Sequence, residues 1–313
     1  MVLALRPLGS TGLQVTEITL GGGPLGSMPA LFGTDTSEAA ALDVIQTALD
    51  AGIRTIDTAN EYSGGESERR IGKALREFTN LPPDLLIITK VDPKNGDYSG
   101  DRVRASLAES RERLGLDYLP LVLLHDPEFH DFDYLTQPGG AVDALVAARD
   151  AGEVGHIGLG MGDARVASRY WDLGMFEVLL THNRYTLVDR SAGPLIDQVV
   201  ADGGGVMNAG VLGGGALTDP VRVPGKYCYN EAKPQVLDAI EAMRQACRRY
   251  GVNLATAATQ FSLRDPRIAS TVIGMSQPDR VAEAIDAINT NIPDALWEEL
   301  ETLIPAPEFW LDA

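Results

Sequence analysis

The sequence predicts a single (β/α)8 barrel with an N-terminal β-hairpin, residues 1–313 forming one domain. Three observations carry this expectation. Short β-branched or apolar runs alternate with amphipathic segments along nearly the whole chain. Eight β-then-α units can be counted if "TEITLGGG" is the first, and no linker or shift in composition divides them. With 313 residues, 44% of them apolar, there is enough side-chain material for the large core a barrel needs.

The chain opens with two short extended pieces, Leu3 to Leu8 and Val15 to Leu20, joined by the turn-forming "GSTG", which reads as a hairpin. "TSEAAALDVIQTALDAG" then has the period of a helix, with Thr36 or Ser37 as cap, Leu42, Ile45 and Leu49 on one face, and Gly52 as the stop. "IRTID" is a strand, and "ESERRIGKALREF" a helix whose first turn places Glu66 and Glu68 at the positive end of its dipole. "LLIITK" is the next strand. It is followed by "DRVRASLAESRERLG", with Val103, Leu107 and Leu114 inward, and by "LPLVLLH", apolar throughout as a strand buried on both faces should be.

The alternation continues through "AVDALVAARDAG", "GHIGLG", "ARVASRYWDLG", "EVLLTHN", "GPLIDQVVADG" and "GVMNAG". Two helices, Pro234 to Tyr250 and Leu254 to Leu263, precede the last strand "ASTVIG" and the helix "PDRVAEAIDAI". The Gly- and Pro-rich segment 213–233 is longer than an ordinary connection and reads as a functional flap.

With 26 basic against 44 acidic residues the formal charge is −18, which repels phosphate backbones and anionic lipid. Nucleic acid and membrane are therefore not expected partners, and a small-molecule substrate is. Cys228 and Cys247 are too few for a disulfide framework or a thiolate cluster, consistent with a reducing cytoplasm. Arg6 and Pro7 interrupt the stretch a signal peptide would need, and no apolar run approaches the ~20 residues of a spanning helix.

In a (β/α)8 barrel the chemistry collects at the carboxyl ends of the strands. Read in order from the second strand, those ends fall at Asp57, Lys90, His125, Gly160, His182, Asn208 and Gly274, with Tyr62 five residues beyond Asp57. Each ionisable group has an ordinary explanation by itself, since aspartate closes strands and lysine is solvated in many folds. Together on one rim they form a proton-transfer set. The Lys90 ammonium would favour the Tyr62 phenolate and lower its pKa from about 10, while Asp57 keeps Lys90 charged and oriented. His125 would polarise a carbonyl oxygen. Such a set moves protons, and the hydride would have to come from a bound nicotinamide. The four histidines show no metal-ligand spacing, so no metal is expected. "GGGPLG" and "GLGMG" lack the full dinucleotide fingerprint of a doubly wound fold.

"LGSTGLQVTEITLGGGPLG", "AGIRTIDTANEYSGGESERRIGKAL", "IITK", "LLHDPE" and "TVIGMSQPDRVAEA" together resemble the aldo-keto reductases along nearly the whole chain. "NRYTLVDRSA" and "VMNAGVLGGGAL" resemble the branch of aldose 1-dehydrogenases acting on galactose- and fucose-type sugars or on pyridoxal. The resemblance implies a catalytic tetrad of Asp57, Tyr62, Lys90 and His125, with Tyr62 as general acid or base, and an extended NAD or NADP across the carboxyl rim. It implies that Gly22, Gly23 and Asp57 lie under the cofactor, that Gly160, Met161 and His182 hold the carboxamide, and that Asn208 stands at the ring-stacking position. It further implies that Ala209, Gly210, Leu212 and Gly215 cradle the pyrophosphate, and that Gly274, Met275, Ser276, Arg280 and Glu283 meet the adenosine end. Met275 and Ser276 stand where a basic residue would favour NADP, so NAD is preferred.

The function expected is hydride transfer between the nicotinamide and a sugar hemiacetal or carbonyl carbon. The alternatives are a broad NADPH-dependent aldehyde or ketone reductase and a non-catalytic nucleotide-sensing subunit. Cys228, Tyr229, Phe309 and Trp310 are candidates for lining the substrate mouth. No oligomeric state follows from the sequence.

Overall fold

The computed structural model describes residues 3–29, 33, 35–218 and 223–313. Twelve strands are present among them: β1 (Leu5–Pro7), β2 (Gln14–Thr16), β3 (Ile18–Gly21), β4 (Thr55–Asp57), β5 (Leu86–Val91), β6 (Leu119–His125), β7 (Val154–Met161), β8 (Val178–His182), β9 (Gly205–Ala209), β10 (Lys226–Tyr227), β11 (Asn230–Glu231) and β12 (Ser270–Gly274). Eight of these close into a parallel barrel in the order β12-β3-β4-β5-β6-β7-β8-β9, so the expected (β/α)8 architecture is present.

Helices follow the barrel strands: α1 (Glu38–Asp50), α2 (Glu66–Glu77), α3 (Gly100–Leu114), the short α4 (Phe132–Thr136), α5 (Ala141–Asp150), α6 (Ala164–Trp171) and α7 (Gly193–Ala201). They continue with α8 (Pro234–Arg249), α9 (Leu254–Leu263), α10 (Pro278–Asn289) and α11 (Asp294–Thr302). Their ends obey local chemistry. Ser37 caps α1 by accepting from the Ala40 amide, and Gly115 ends α3 in the left-handed region that glycine adopts freely.

The period of two along each strand sorts side chains into two cores. Ile88, Leu121, Leu123, Val178, Leu180, Met207 and Val272 fill the barrel interior, while Ile56, Ile87, Val122, Leu124, Leu159, Leu179, Val206 and Ile273 pack outward against the helices. The same alternation carries Lys90 inward after Ile88, His125 inward after Leu123 and His182 inward after Leu180.

The expected hairpin is shorter than its pattern suggested. β1 pairs antiparallel with β2 from Leu5↔Thr16 to Pro7↔Gln14, and the apolar run that follows is β3, the first barrel strand. Leu8 and Val15 belong to the interior core, and Ser10 N donates to Gly203 O at 2.9 Å, so the hairpin stoppers the amino end of the barrel. Its Gly9 has a φ of +58°, and a Cβ there would lie 2.3 Å from Gly205 N.

Helix α2 runs tightly against α3. A Cβ on Gly72 would sit 2.0 Å from Arg113 O and 2.8 Å from Leu114 Cα, both backbone atoms that cannot swing aside. Gly72→Ala is therefore expected to destabilise the protein by about 1–3 kcal/mol despite alanine's better helix propensity, read as a lower urea midpoint at unchanged slope.

Within the expected flap, β10 and β11 form a two-stranded hairpin, and residues 219–222 lie outside the described part. Arg244 on α8 holds the flap's base by donating to Ala216 O at 3.1 Å and Thr218 O at 2.7 Å.

Candidate active site

At the carboxyl rim, Lys90 is buried at 1% side-chain exposure against Asp57 at 5%. Its Nζ donates to both Asp57 carboxylate oxygens at 2.8 and 2.9 Å, to Thr58 O at 2.7 Å and to Tyr62 Oη at 3.2 Å. Because Lys90 donates to the phenol oxygen, the Tyr62 proton is directed elsewhere. Asp57 arrives from the end of β4 and Lys90 from the penultimate position of β5. Tyr62 comes from the loop before α2, which places Lys90 Nζ 4.7 Å from the Tyr62 ring centre.

The electrostatics correct one expectation. Burial raises the Tyr62 pKa; Lys90 lowers it, but the carboxylates of Asp57 and Asp126 raise it again, and the net effect is upward from the ordinary value. Lys90 does not pull the phenol toward neutrality, because burial penalises a phenolate and Asp57 offsets part of the lysine's influence. Tyr62 is held as a phenol. Lys90 is itself held charged: burial disfavours the ammonium, but Asp57 outweighs it.

His125, at the end of β6, meets the Tyr62 ring edge-on at 5.5 Å and binds Asp92 Oδ1 through Nδ1 at 2.6 Å. Its Nε2 lies 3.9 Å from Asp126 Oδ2. The Tyr98 hydroxyl accepts from His125 N at 3.0 Å and donates to Val91 O at 2.7 Å, tying the ends of β5 and β6 together. Burial disfavours the imidazolium, but Asp92 and then Asp126 outweigh it, so the His125 pKa is raised.

Asp126 has a φ of 43°, and its Oδ1 accepts from His182 Nε2 at 3.0 Å. Burial would raise its pKa, yet His125, His182 and Lys90 hold it below the usual carboxylate range. The other ring nitrogen of His182 accepts from Asn183 Nδ2 at 3.1 Å. Asn183 Oδ1 is buried and has no hydrogen-bond partner.

Several cofactor candidates stand differently from expectation. Met161 and Asn208 fall on the outward parity of their strands, and Met275, one residue past the end of β12, continues the outward face of Ile273. Met161 and Met275 are fully buried in the outer core. Asn208 Nδ2 donates to Tyr185 O at 2.8 Å and to Ser262 Oγ of α9 at 3.0 Å, so its side chain does not occupy a ring-stacking position inside the rim. Ala209, next along β9, packs against the interior core instead. His182 is inward but already engaged with Asp126 and Asn183. Gly22 is bound into the rim, its N–H donating to Asp57 O at 2.6 Å and its carbonyl accepting from Ser67 Oγ at 2.7 Å, with the buried Gly23 beside it. A Cβ on Gly160 would touch Lys90 Cδ at 3.2 Å, so this position leaves room for the lysine.

Gly210 and Gly215 have φ of +69° and +100°, with Leu212 between them half-buried. At the far rim Gly274 is exposed and Ser276 half-buried, while Arg280 pairs with Glu283 at 2.5 Å.

Sequence spacing gave no metal-ligand set, yet the fold brings donor atoms of Asp126, Glu128 and His182 within 4.8 Å of one another. Both His182 nitrogens are already hydrogen-bonded, and Glu128 Oε1 accepts from Gly162 N at 2.7 Å, which accounts for the grouping without an ion. Asp92 and Asn183 are rim residues the sequence reading missed. For Asp92 the indication was present: two residues beyond Lys90, it continues the same inward face.

The C-terminal tail closes over the loops after β7 and β8. Asp312, 3% exposed at its side chain, accepts from Arg184 Nε at 3.0 Å and Ala164 N at 2.8 Å, and Leu311 N donates to Asp189 Oδ2 at 2.8 Å. Trp310 Nε1 turns back to Pro305 O at 2.9 Å, and Phe309 packs against the outer core. Asp312→Ala strips a half-buried guanidinium and a helix-start amide of their acceptor. It is expected to cost about 1–3 kcal/mol, measured by urea unfolding.

The Aldo/keto reductase family model matches residues 17–305. The chain belongs to that family. It is 31% identical to D-threo-aldose 1-dehydrogenase of a Pseudomonas species, over 95% of this chain and 97% of that protein. It is 32% identical to L-galactose dehydrogenase of Arabidopsis thaliana, over 91% and 88%, and 30% identical to pyridoxal 4-dehydrogenase of Microbacterium luteolum, over 95% and 96%. Among solved structures, the holo form of an aldo-keto reductase from Bacillus halodurans superposes with a TM-score of 0.79 over 99% of this chain and 98% of that one, at 21% identity, a likeness of fold. As an aldo/keto reductase, the protein is an NAD(P)-dependent oxidoreductase. No helix among the described residues is long and apolar enough to cross a membrane.

Proposed function

We propose that this aldo/keto reductase, working as one barrel domain, interconverts the anomeric carbinol of an aldose and the corresponding carbonyl, with Tyr62 as the proton-transfer group. The observation that carries this reading is the Lys90–Tyr62 contact, in which the ammonium donates to the phenol oxygen and leaves the phenolic proton free for a substrate. His125 supplies the second contact to the reacting oxygen, and Asp57 holds Lys90 in place. The named activities of the relatives, on a D-threo-aldose and on L-galactose, support a sugar over a simple aldehyde.

The residues fit a nicotinamide. Asn183 Oδ1 is a buried acceptor with no partner at the carboxyl end of β8, the complement of a carboxamide N–H. A Cβ on Gly210 would lie 2.2 Å from that oxygen, so the glycine is required where Asn183 stands. When bound, the nicotinamide supplies the hydride exchange that no side chain can perform. Gly210, Leu212 and Gly215 form the loop proposed for the pyrophosphate. Arg280 is neutralised by Glu283, which argues for NAD over a cofactor carrying an extra phosphate.

The test is a steady-state panel of free aldoses, pyridoxal and simple aldehydes with both nicotinamides in both directions. Aldose oxidation with NAD is the expected preference. Efficient turnover of simple aldehydes with NADPH alone would replace this reading by the general reductase, and nucleotide binding without any turnover by the sensing subunit.

A further inference from the structure

We propose that Asp92 is a positioning residue of the active site, which orients His125 so that Nε2 faces the reacting oxygen. The inference rests on the proton-transfer site described above. Asp92 lies one residue past the end of β5 and two past Lys90. Its side chain is 8% exposed, and it reaches His125 Nδ1 at 2.6 Å. Ionised, a carboxylate only accepts, so the shared proton belongs to Nδ1 and the ring's other nitrogen is left for the cavity.

Asp92 is itself fixed from several sides. Its Oδ2 accepts from Glu61 N at 2.9 Å, its amide donates to Ser106 Oγ at 3.2 Å, and its carbonyl accepts from Arg102 Nε at 3.2 Å. Arg102 is anchored in turn by both carboxylate oxygens of Glu109, at 2.9 and 2.7 Å, and by Asn60 Oδ1 at 3.1 Å. A carboxylate held this way restrains the imidazole plane more tightly than its own strand can. The restraint also runs from the Glu61 amide, one residue before Tyr62, through Asp92 to His125, so the two groups proposed to meet the substrate oxygen share one support.

The groups facing the ring account for the upward direction of its shift. Asp92 comes from the loop after β5, Asp126 from the residue following His125, Lys90 from β5 with Asp57 behind it, Tyr62 from the loop after β4, and His182 from β8 through Asp126. On β7, Gly160 is the residue in register with His125. Lys90 opposes the imidazolium, and Asp92 is the largest influence favouring it, ahead of Asp126. Tyr98 contacts the backbone of His125 and does not fix the ring.

The test uses the full chain with 15N-labelled histidine, following the His125 ring nitrogens by NMR across pH, beside pH profiles of kcat and KM. In Asp92→Asn the His125 midpoint is expected to fall by about one to two pH units, with a smaller fall in Asp126→Asn. kcat is expected to fall about 10- to 100-fold with little change in KM, since orientation rather than binding is lost. Asp92→Glu, which keeps the charge, is expected to retain most of the midpoint, and Asp92→Ser, which removes the charge with a smaller side chain, is expected to give the same fall if the asparagine variant does not fold. A midpoint unmoved in Asp92→Asn, or a moved midpoint with kcat intact, overturns the proposal. A protein that turns over nothing in the panel, yet shows the midpoint falling in Asp92→Asn, refutes the proposed activity while supporting the Asp92–His125 link.

Discussion

Tyr62→Phe is expected to lower kcat by roughly 10²- to 10⁴-fold while leaving nicotinamide binding within a factor of two or three. The substitution removes one oxygen whose hydrogen-bond donor in the free protein is Lys90 Nζ at 3.2 Å. The loss should therefore appear in kcat and not in KM. Direction matters as well. Since burial keeps Tyr62 protonated beyond its ordinary range, the wild-type phenol is ready to give a proton in reduction, whereas oxidation needs the scarce phenolate. Oxidation by the wild type should accelerate as pH is raised into the alkaline range, and reduction should not. Retention of full turnover by the phenylalanine variant, with cofactor bound, would remove Tyr62 from the mechanism.

Lys90→Met is expected to damage stability and catalysis together. It leaves the Asp57 carboxylate, 5% exposed at its side chain, without its cation, and stranding one member of a buried pair costs about 3–5 kcal/mol. It also withdraws the donor to Tyr62 and to Thr58 O. Urea unfolding of Lys90→Met, Asp57→Asn and the double variant separates the two effects. The double variant should recover much of the lost stability, because no unpaired charge remains, while its kcat stays low. Additive losses in stability across this cycle would mean that Asp57 and Lys90 do not act as a pair.

Most of the barrel was legible because its strands and helices announce themselves by period, and because Gly52 and Gly115 stand where helices stop. Asp57, Lys90, Tyr62 and His125 could be placed together once strand ends were taken as one rim. The resemblance to the aldo-keto reductases implies cofactor contacts for Asn208, Met161 and Met275 position by position, without regard to which way each side chain points. Side-chain parity decides which face a residue reaches, and counting by twos from Met207 or Leu159 turns Asn208 and Met161 outward. The same count from Lys90 would have found Asp92. The sign of the Tyr62 shift was not legible, since it depends on how far burial and Asp57 cancel the lysine. The meeting of Asp126, Glu128 and His182 was hidden too, because it joins the loop after β6 to the end of β8.

The β1–β2 hairpin and Asp312 sit at opposite ends of the barrel. The opening hairpin corks the base of the barrel, and the final residues are stitched beside the catalytic mouth through Asp312. A label or solid support attached in the hairpin turn, at Gly12, would leave the entrance facing solution. The same attachment beside Asp312 would crowd the doorway and strain the Arg184 anchor, so handling of this enzyme has a preferred polarity.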